Sequence, residues 1–140
     1  MIRKIKATDY PHLVEIWESA VVNTHDFLTK EDFLYYKKRL PTYFQHVNLF
    51  GFEQEGTLIG FMGVTEGNLE MLFIDNNYRG TGVGRELITY AINHLQVTKV
   101  DVNEQNNRAV GFYEHIGFHA YKRSALDGEG KAYPILHMQL

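Results

Sequence analysis

Three glycines at alternate positions, in the run Arg79-Gly80-Thr81-Gly82-Val83-Gly84, join a strand-like apolar segment ending at Asp75 to a stretch where Val83, Leu87, Ala91 and Leu95 recur at helical spacing. Strand, glycine turn and amphipathic helix in that order call for a layered α/β arrangement, with the apolar stripe of the helix packed in a core. The junction also has chemistry. A helix start exposes backbone N–H groups and a partial positive charge, and glycines beside it let an anion come close to them. Arg79 adds a cationic fork suited to phosphate. The segment is suited to a diphosphate or a similar anion.

Spacing separates the nucleotide loops that this run could represent. A P-loop requires Lys and then Ser or Thr after its last glycine, whereas Gly84 is followed by Arg85-Glu86. The dinucleotide fingerprint requires a third glycine at position 85 in an early βαβ unit; position 85 is Arg, and several strands precede the loop. Both are disfavoured, which leaves Arg-x-x-Gly-x-Gly between a strand and a helix.

The rest of the chain builds the mixed α/β domain around this junction. Ile2 to Ile5 reads as a short strand, and Thr8 or Asp9 caps a helix with Leu13, Ile16, Trp17, Ala20 and Val21 on one face. Thr29-Lys30-Glu31-Asp32 opens a second helix carrying Phe33, Leu34, Tyr36 and Leu40, expected to be disturbed at Pro41. Residues 47–52, 57–65 and 69–75 are strand-like and separated by the turn signals Glu55-Gly56 and Glu66-Gly67, which predicts an antiparallel meander. After the glycine segment and its helix come a strand over 97–103 and a helix over 106–116. That helix is expected to bury Ala109, Phe112 and Ile116 and to close at Gly117. Strands over 118–124 and 133–140 flank an Asp127-Gly128-Glu129-Gly130 turn. The order is β-α-α-β-β-β-α-β-α-β-β in one domain over residues 1–140, with a mixed sheet because the strand-helix-strand crossovers of the second half require a locally parallel pair.

Composition narrows the function. With 140 residues, of which 44% are hydrophobic, the chain can bury one substantial core and is expected to hold one site. A net charge of -3 provides no basic footprint for nucleic acid. The absence of cysteine excludes disulfides, thiolate metal sites and a cysteine nucleophile, and no metal is expected. No apolar run approaches the roughly 20 residues of a membrane span, and the first residues lack a signal peptide's apolar stretch, so a soluble cytoplasmic protein is expected.

A second constellation follows the glycines: Asn106, Ala109 and Tyr113 in an Asn-x-x-Ala-x-x-x-Tyr pattern, then Gly117-Phe118. With Arg79, Gly82 and Gly84 it resembles the GNAT superfamily of acetyl-CoA-dependent N-acyltransferases. The resemblance covers the whole order of elements, and residues 102–118 are its most specific part. Within that superfamily the chain is similar to a bacterial YjaB-like subgroup. The shared stretches are Thr24-His25-Asp26-Phe27-Leu28, Leu72-Phe73-Ile74-Asp75, Val102-Asn103-Glu104-Gln105-Asn106, Arg123-Ser124 and Gly130-Lys131-x-Tyr133-Pro134.

The resemblance implies a GNAT-like, mostly antiparallel sheet splayed between the fourth and fifth strands, with acetyl-CoA as co-substrate. Arg79, Gly80, Thr81, Gly82, Val83, Gly84 and Arg85 would surround the pyrophosphate. The pantetheine arm would lie between the two splayed strands, against the backbone of Leu72, Phe73 and Ile74, whose N–H groups would receive the developing oxyanion. Asn103 and Asn106 would contact the CoA arm, Asn106 also being suited to cap its helix. Tyr113 matches the family's general acid, since a phenol stays protonated at neutral pH and can still pass its proton to a thiolate. Glu70 and His25 are the candidates for a base, and water can serve in their place. His25, Phe27 and Tyr133 are candidates for the acceptor pocket. The implied activity is transfer of an acetyl group to a primary amine, on a small molecule or a protein, by a monomer or homodimer. The same motifs also admit a non-catalytic acetyl-CoA sensor.

Overall fold

The computed structural model describes residues 1–140. The elements are β1 (Ile2–Lys4), α1 (Tyr10–Thr24), α2 (Lys30–Phe44), β2 (Asn48–Gln54), β3 (Thr57–Thr65), β4 (Asn68–Ile74), α3 (Val83–His94), β5 (Lys99–Asn103), α4 (Asn107–Ile116), β6 (His119–Ser124) and β7 (Ile135–Gln139). The expected order is therefore the observed one. All seven strands form a single sheet in the order β1-β2-β3-β4-β5-β7-β6. The only parallel neighbours are β4 and β5, and every other pair is antiparallel.

Helices cover both faces, and each face has its own core. Against α1 and α2 lie Leu13, Ile16, Trp17, Val21, Leu40 and Phe44 with Leu49, Leu58 and Phe61. On the opposite face Val83, Leu87, Ile88 and Ala91 of α3 and Tyr113 of α4 pack with Ile59, Met62, Leu69, Val100, Val102 and Met138. α1 is expected to start on a side-chain cap, yet Asp9 at its N-cap makes none. The Asp9 carboxylate instead accepts from Lys6 N at 2.8 Å and pairs with Arg3.

Two further differences concern helices. α2 runs through Pro41 to Phe44. The ring costs the helix one N–H bond, but ending there would leave Phe44, which is 1% exposed, outside its core. In α4 the buried side chain is Tyr113, whereas Ala109, Phe112 and Ile116 are half-buried. Ala109 and Phe112 look into a cleft instead of closed core.

That cleft begins at an irregularity of β4. Val64 pairs with Leu69 and Gly63 with Met71, so Glu70 is the extra residue of a β-bulge. The bulge reverses the pleat: Leu69 faces the α3/α4 core, but Met71 and Phe73 pack with the α1/α2 core. Pairing with β5 stops at the same place, being confined to Asn68↔Lys99 and Leu69↔Val100. Beyond Glu70 the two strands fork.

Candidate active site

The fork opens into a cleft of about 590 Å³ that passes between β4 and β5 and reaches the start of α3, one side of α4 and the end of α1. Its lining contains Glu70, Leu72, Phe73, Ile74, Arg79, Gly80, Gly82, Val83, Gly84, Arg85, Asn103, Asn106, Tyr113 and His25, which the sequence had scattered over 89 positions from 25 to 113.

The end at α3 has the donors that an anion could accept from. Gly82, at φ 91°, is the N-cap and supplies no side-chain cap; the first bond of the helix is Glu86 N to Gly82 O. The amides of Gly80, Gly82, Val83, Gly84 and Arg85 therefore have no acceptor within the protein. A Cβ added at Gly80 or Gly82 would meet nothing within 4 Å, so the loop faces open space, and its left-handed φ values explain the glycines. Arg79, Arg85 and Arg108 line the same end, are exposed, and make no ion pair. Thr81 stands outside the lining: its amide donates to Tyr78 O at 3.3 Å and its hydroxyl to the same oxygen.

In the fork itself, Asp75 N donates to Ile59 O at 2.9 Å. Because alternate residues of an antiparallel strand point the same way, Phe73 N also turns toward β3. The amides of Leu72 and Ile74 are left facing the gap, so of the three donors expected from the sequence Phe73 contributes its position but not its N–H. Asn106 caps α4 through its side-chain oxygen, which accepts from Ala109 N at 3.1 Å, leaving its amide NH2 unpaired on the cleft. The side-chain oxygen of Asn76 is buried in the same wall without a partner.

Tyr113 is 6% exposed, with Phe112 and Phe118 edge-on at 5.2 and 5.9 Å between centroids. Burial alone pushes its phenol well above the ordinary value, and no side chain or backbone group holds the hydroxyl. It is therefore a protonated donor directed at the cleft. His25 closes α1. Thr24 gives its hydroxyl proton to Ala20 O at 2.7 Å, so its oxygen receives His25 Nδ1–H at 2.7 Å, and Nε2 keeps a lone pair. Burial lowers this imidazole to about 4, against a smaller opposite pull from Asp26, so it is neutral at pH 7.

Phe27 and Tyr133 lie outside the lining but continue it. Phe27 sits 5.1 Å from the His25 ring and 6.0 Å from that of Tyr133, making an aromatic wall. Tyr133 donates to Asp32, which also pairs with Lys131 at 3.0 Å; Tyr36 donates to Asp127. These bonds clasp the β6–β7 connection onto the start of α2. Glu70 is exposed at the fork, and no group of His, Asp or Glu side chains converges in a way that could hold a metal ion. No helix is long and apolar enough to cross a membrane.

Residues 21–140 match the acetyltransferase (GNAT) domain family. The chain belongs to the GNAT acetyltransferase family. Among curated GNAT relatives it is similar to the peptidyl-lysine N-acetyltransferase YjaB of Escherichia coli, 36% identical over 98% of this chain and 94% of that one. The peptidyl-lysine N-acetyltransferase YiaC of the same organism is 26% identical over 85% of this chain and 83% of its own length. The solution structure of apo YjaB from E. coli superposes with a TM-score of 0.91 at 35% identity, covering 99% of this chain and 95% of that chain. A more distant GNAT likeness, at TM-score 0.76 and 19% identity over 100% of this chain and 98% of that chain, is PaiA N-acetyltransferase from Thermoplasma acidophilum in complex with coenzyme A; it speaks to the fold alone.

Arg108, Asn76 and Asp101, which the sequence left unremarked, also line the cleft, as does Phe112, which was expected in closed core. Arg108 was discoverable, two residues after Asn106 on the same first helical turn. Asp101 was not, because its place depends on where β4 and β5 part.

Proposed function

We propose that this GNAT protein transfers the acetyl group of acetyl-CoA to a primary amine by direct attack within a ternary complex. The observation that carries the reading is the run of amides at Gly80, Gly82, Val83, Gly84 and Arg85, all without an internal acceptor, at the mouth of a forked strand pair. A pyrophosphate fits the former, with Arg79, Arg85 and Arg108 balancing its charge. An extended pantetheine arm fits the latter, adding a partial strand against Leu72 and Ile74. Asn103 and the amide of Asn106 flank the arm.

Acetyl transfer needs an uncharged amine, a place for the carbonyl's developing charge and a proton for the departing thiolate. The fork-facing amides of β4 meet the oxyanion and Tyr113 protonates the sulfur. His25, with Phe27 and Tyr133 beyond it, forms the acceptor wall, and its free Nε2 can receive an N–H of the incoming amine. The names of the YjaB and YiaC relatives support a lysine side chain of a protein or peptide as acceptor. Binding is tested by titrating acetyl-CoA and following the melting temperature, which must rise if the ligand binds the native state. Turnover is tested by release of CoA thiol with a lysine peptide. A flat melting temperature would refute the donor site.

A further inference from the structure

The α1/α2 core takes no residue from β5, β6 or β7, so that stretch of the sheet face is open. Val100, Val102 and Met138 enter the core of the other face, and alternation along the strands therefore places Asp101 and His137 on the open one. The two are register partners across β5 and β7, and His137 Nδ1 lies 2.6 Å from Asp101 Oδ1. Asn68 Nδ2 donates to the other carboxylate oxygen at 3.1 Å. On the far side of the ring, His137 Nε2 is 2.7 Å from Ser124 Oγ, at the end of the edge strand β6.

An ionised carboxylate only accepts, so Nδ1 carries the imidazole proton and Nε2 accepts from the serine hydroxyl. Nucleophile, base and orienting carboxylate thus stand in the order, and the imidazole in the tautomer, by which a serine is deprotonated as it attacks. The amides of Ala125 and Leu126, the two residues after the serine, have no acceptor within the protein. A free N–H directly after the nucleophile is suited to the oxyanion that forms there. Leu126 is 52% exposed. Tyr121, the extra residue of a bulge in β6, is 46% exposed and holds its ring 6.4 Å from that of His137. Exposed apolar side chains beside this polar chain suit the apolar part of a small ester.

We infer that Ser124, His137 and Asp101 form a second catalytic centre, which hydrolyses small acyl esters whose leaving group is an apolar alcohol or phenol. Ser124 is its nucleophile, His137 its base and acid, and Asp101 a positioning residue that fixes the imidazole. The centre goes beyond the acetyl-transfer reading, since neither Ser124 nor His137 lines the cleft. His137 Nε2 takes the hydroxyl proton as Ser124 Oγ bonds to the ester carbon. The bond from that carbon to the leaving oxygen breaks, and the alcohol departs with the proton from Nε2. Water then gives a proton to Nε2 and attacks the acyl-serine carbon. The bond to Oγ breaks, Oγ regains the proton, and a carboxylic acid leaves.

The test uses p-nitrophenyl acetate as ester and diisopropyl fluorophosphate as serine label, on wild type, Ser124→Ala, His137→Ala, these two combined, and Asp101→Asn. Peptide masses should place the label on Ser124 in wild type and show none there in His137→Ala. Ser124→Ala and His137→Ala should each lower kcat for the ester by about a hundredfold. The double variant should lose no more than either, because nucleophile and base act as a unit. Added imidazole should restore part of the His137→Ala loss, beyond the hydrolysis it causes with the double variant. Asp101→Asn, which favours the wrong tautomer, should lower kcat and leave KM unchanged. Ser124→Ala should acetylate a lysine peptide as wild type does. A label confined to other residues, losses that add in the double variant, or ester hydrolysis unchanged in Ser124→Ala would overturn the second centre and leave the acetyl-CoA site standing.

Discussion

Tyr113 shows how much a single residue's environment decides. It is the one fully buried side chain of α4, its phenol is held protonated by burial, and its hydroxyl has no partner to compete with a sulfur. Tyr113→Phe keeps the ring packing with Phe112 and Phe118 and deletes only the proton donor. It is expected to lower kcat by about a hundredfold. Acetyl-CoA binding, read as the melting shift, should be unchanged. His25 makes a different prediction. In the unfolded chain its imidazole takes up a proton near pH 6.5, but in the folded one only near 4, so between these values the unfolded state binds more protons. The contribution is intact above about 6.5 and is lost as pH falls toward 4, by up to about 3 kcal/mol. Denaturant unfolding at the two ends of that window should show the loss in wild type and a smaller one in His25→Gln.

At the scale of elements, the bulge at Glu70 is the device that makes a site out of a sheet. Without it, β4 would pair with β5 along its length and the gap between Leu72 and Val102 would be filled by ladder hydrogen bonds. Deleting Glu70 leaves Leu69 and Met71 on the opposite faces they already occupy, so the strand regularises without exposing its core residues. The deletion variant is expected to fold and to lose the melting shift with acetyl-CoA; a retained shift would show that the fork does not depend on the bulge. This element also marks the limit of what the sequence discloses. Helices and strands follow from periodicity, and the glycine loop from its spacing, because these are local properties. Pro41 misleads because tertiary burial of Phe44 outweighs a local rule. The bulge, and with it the place of Asp101 beside the fork, depends on pairing between distant segments, which no local pattern encodes. The family resemblance named residues that line the cleft at the start of α3 and beside Tyr113, and at the other end His25 but neither Asn76 nor Asp101.

For the molecule as a whole, the distribution of charge matters more than its sum. A net charge of -3 conceals a cationic mouth formed by Arg79, Arg85 and Arg108 and an acidic fork formed by Glu70 and Asp101. Such an arrangement favours an anion at one end of the channel and a cation at the other, which is what the proposed transfer from acetyl-CoA to an amine requires. Arg85→Ala with Arg108→Ala is expected to weaken acetyl-CoA binding and to reduce its dependence on salt, as titrations at low and high ionic strength would show. The clasp between α2 and the β6–β7 connection holds Tyr133 in the aromatic wall proposed to receive the acceptor, and Tyr133→Phe, which removes the bond to Asp32, should on that reading alter the peptide KM more than acetyl-CoA affinity. The most direct test of the central claim is a paired assay of purified protein with acetyl-CoA and a lysine peptide. Free CoA thiol and acetylated lysine should appear in equal amounts from wild type and fall together in Tyr113→Phe. A protein whose melting temperature rises with acetyl-CoA but which yields neither product with any primary amine would contradict it.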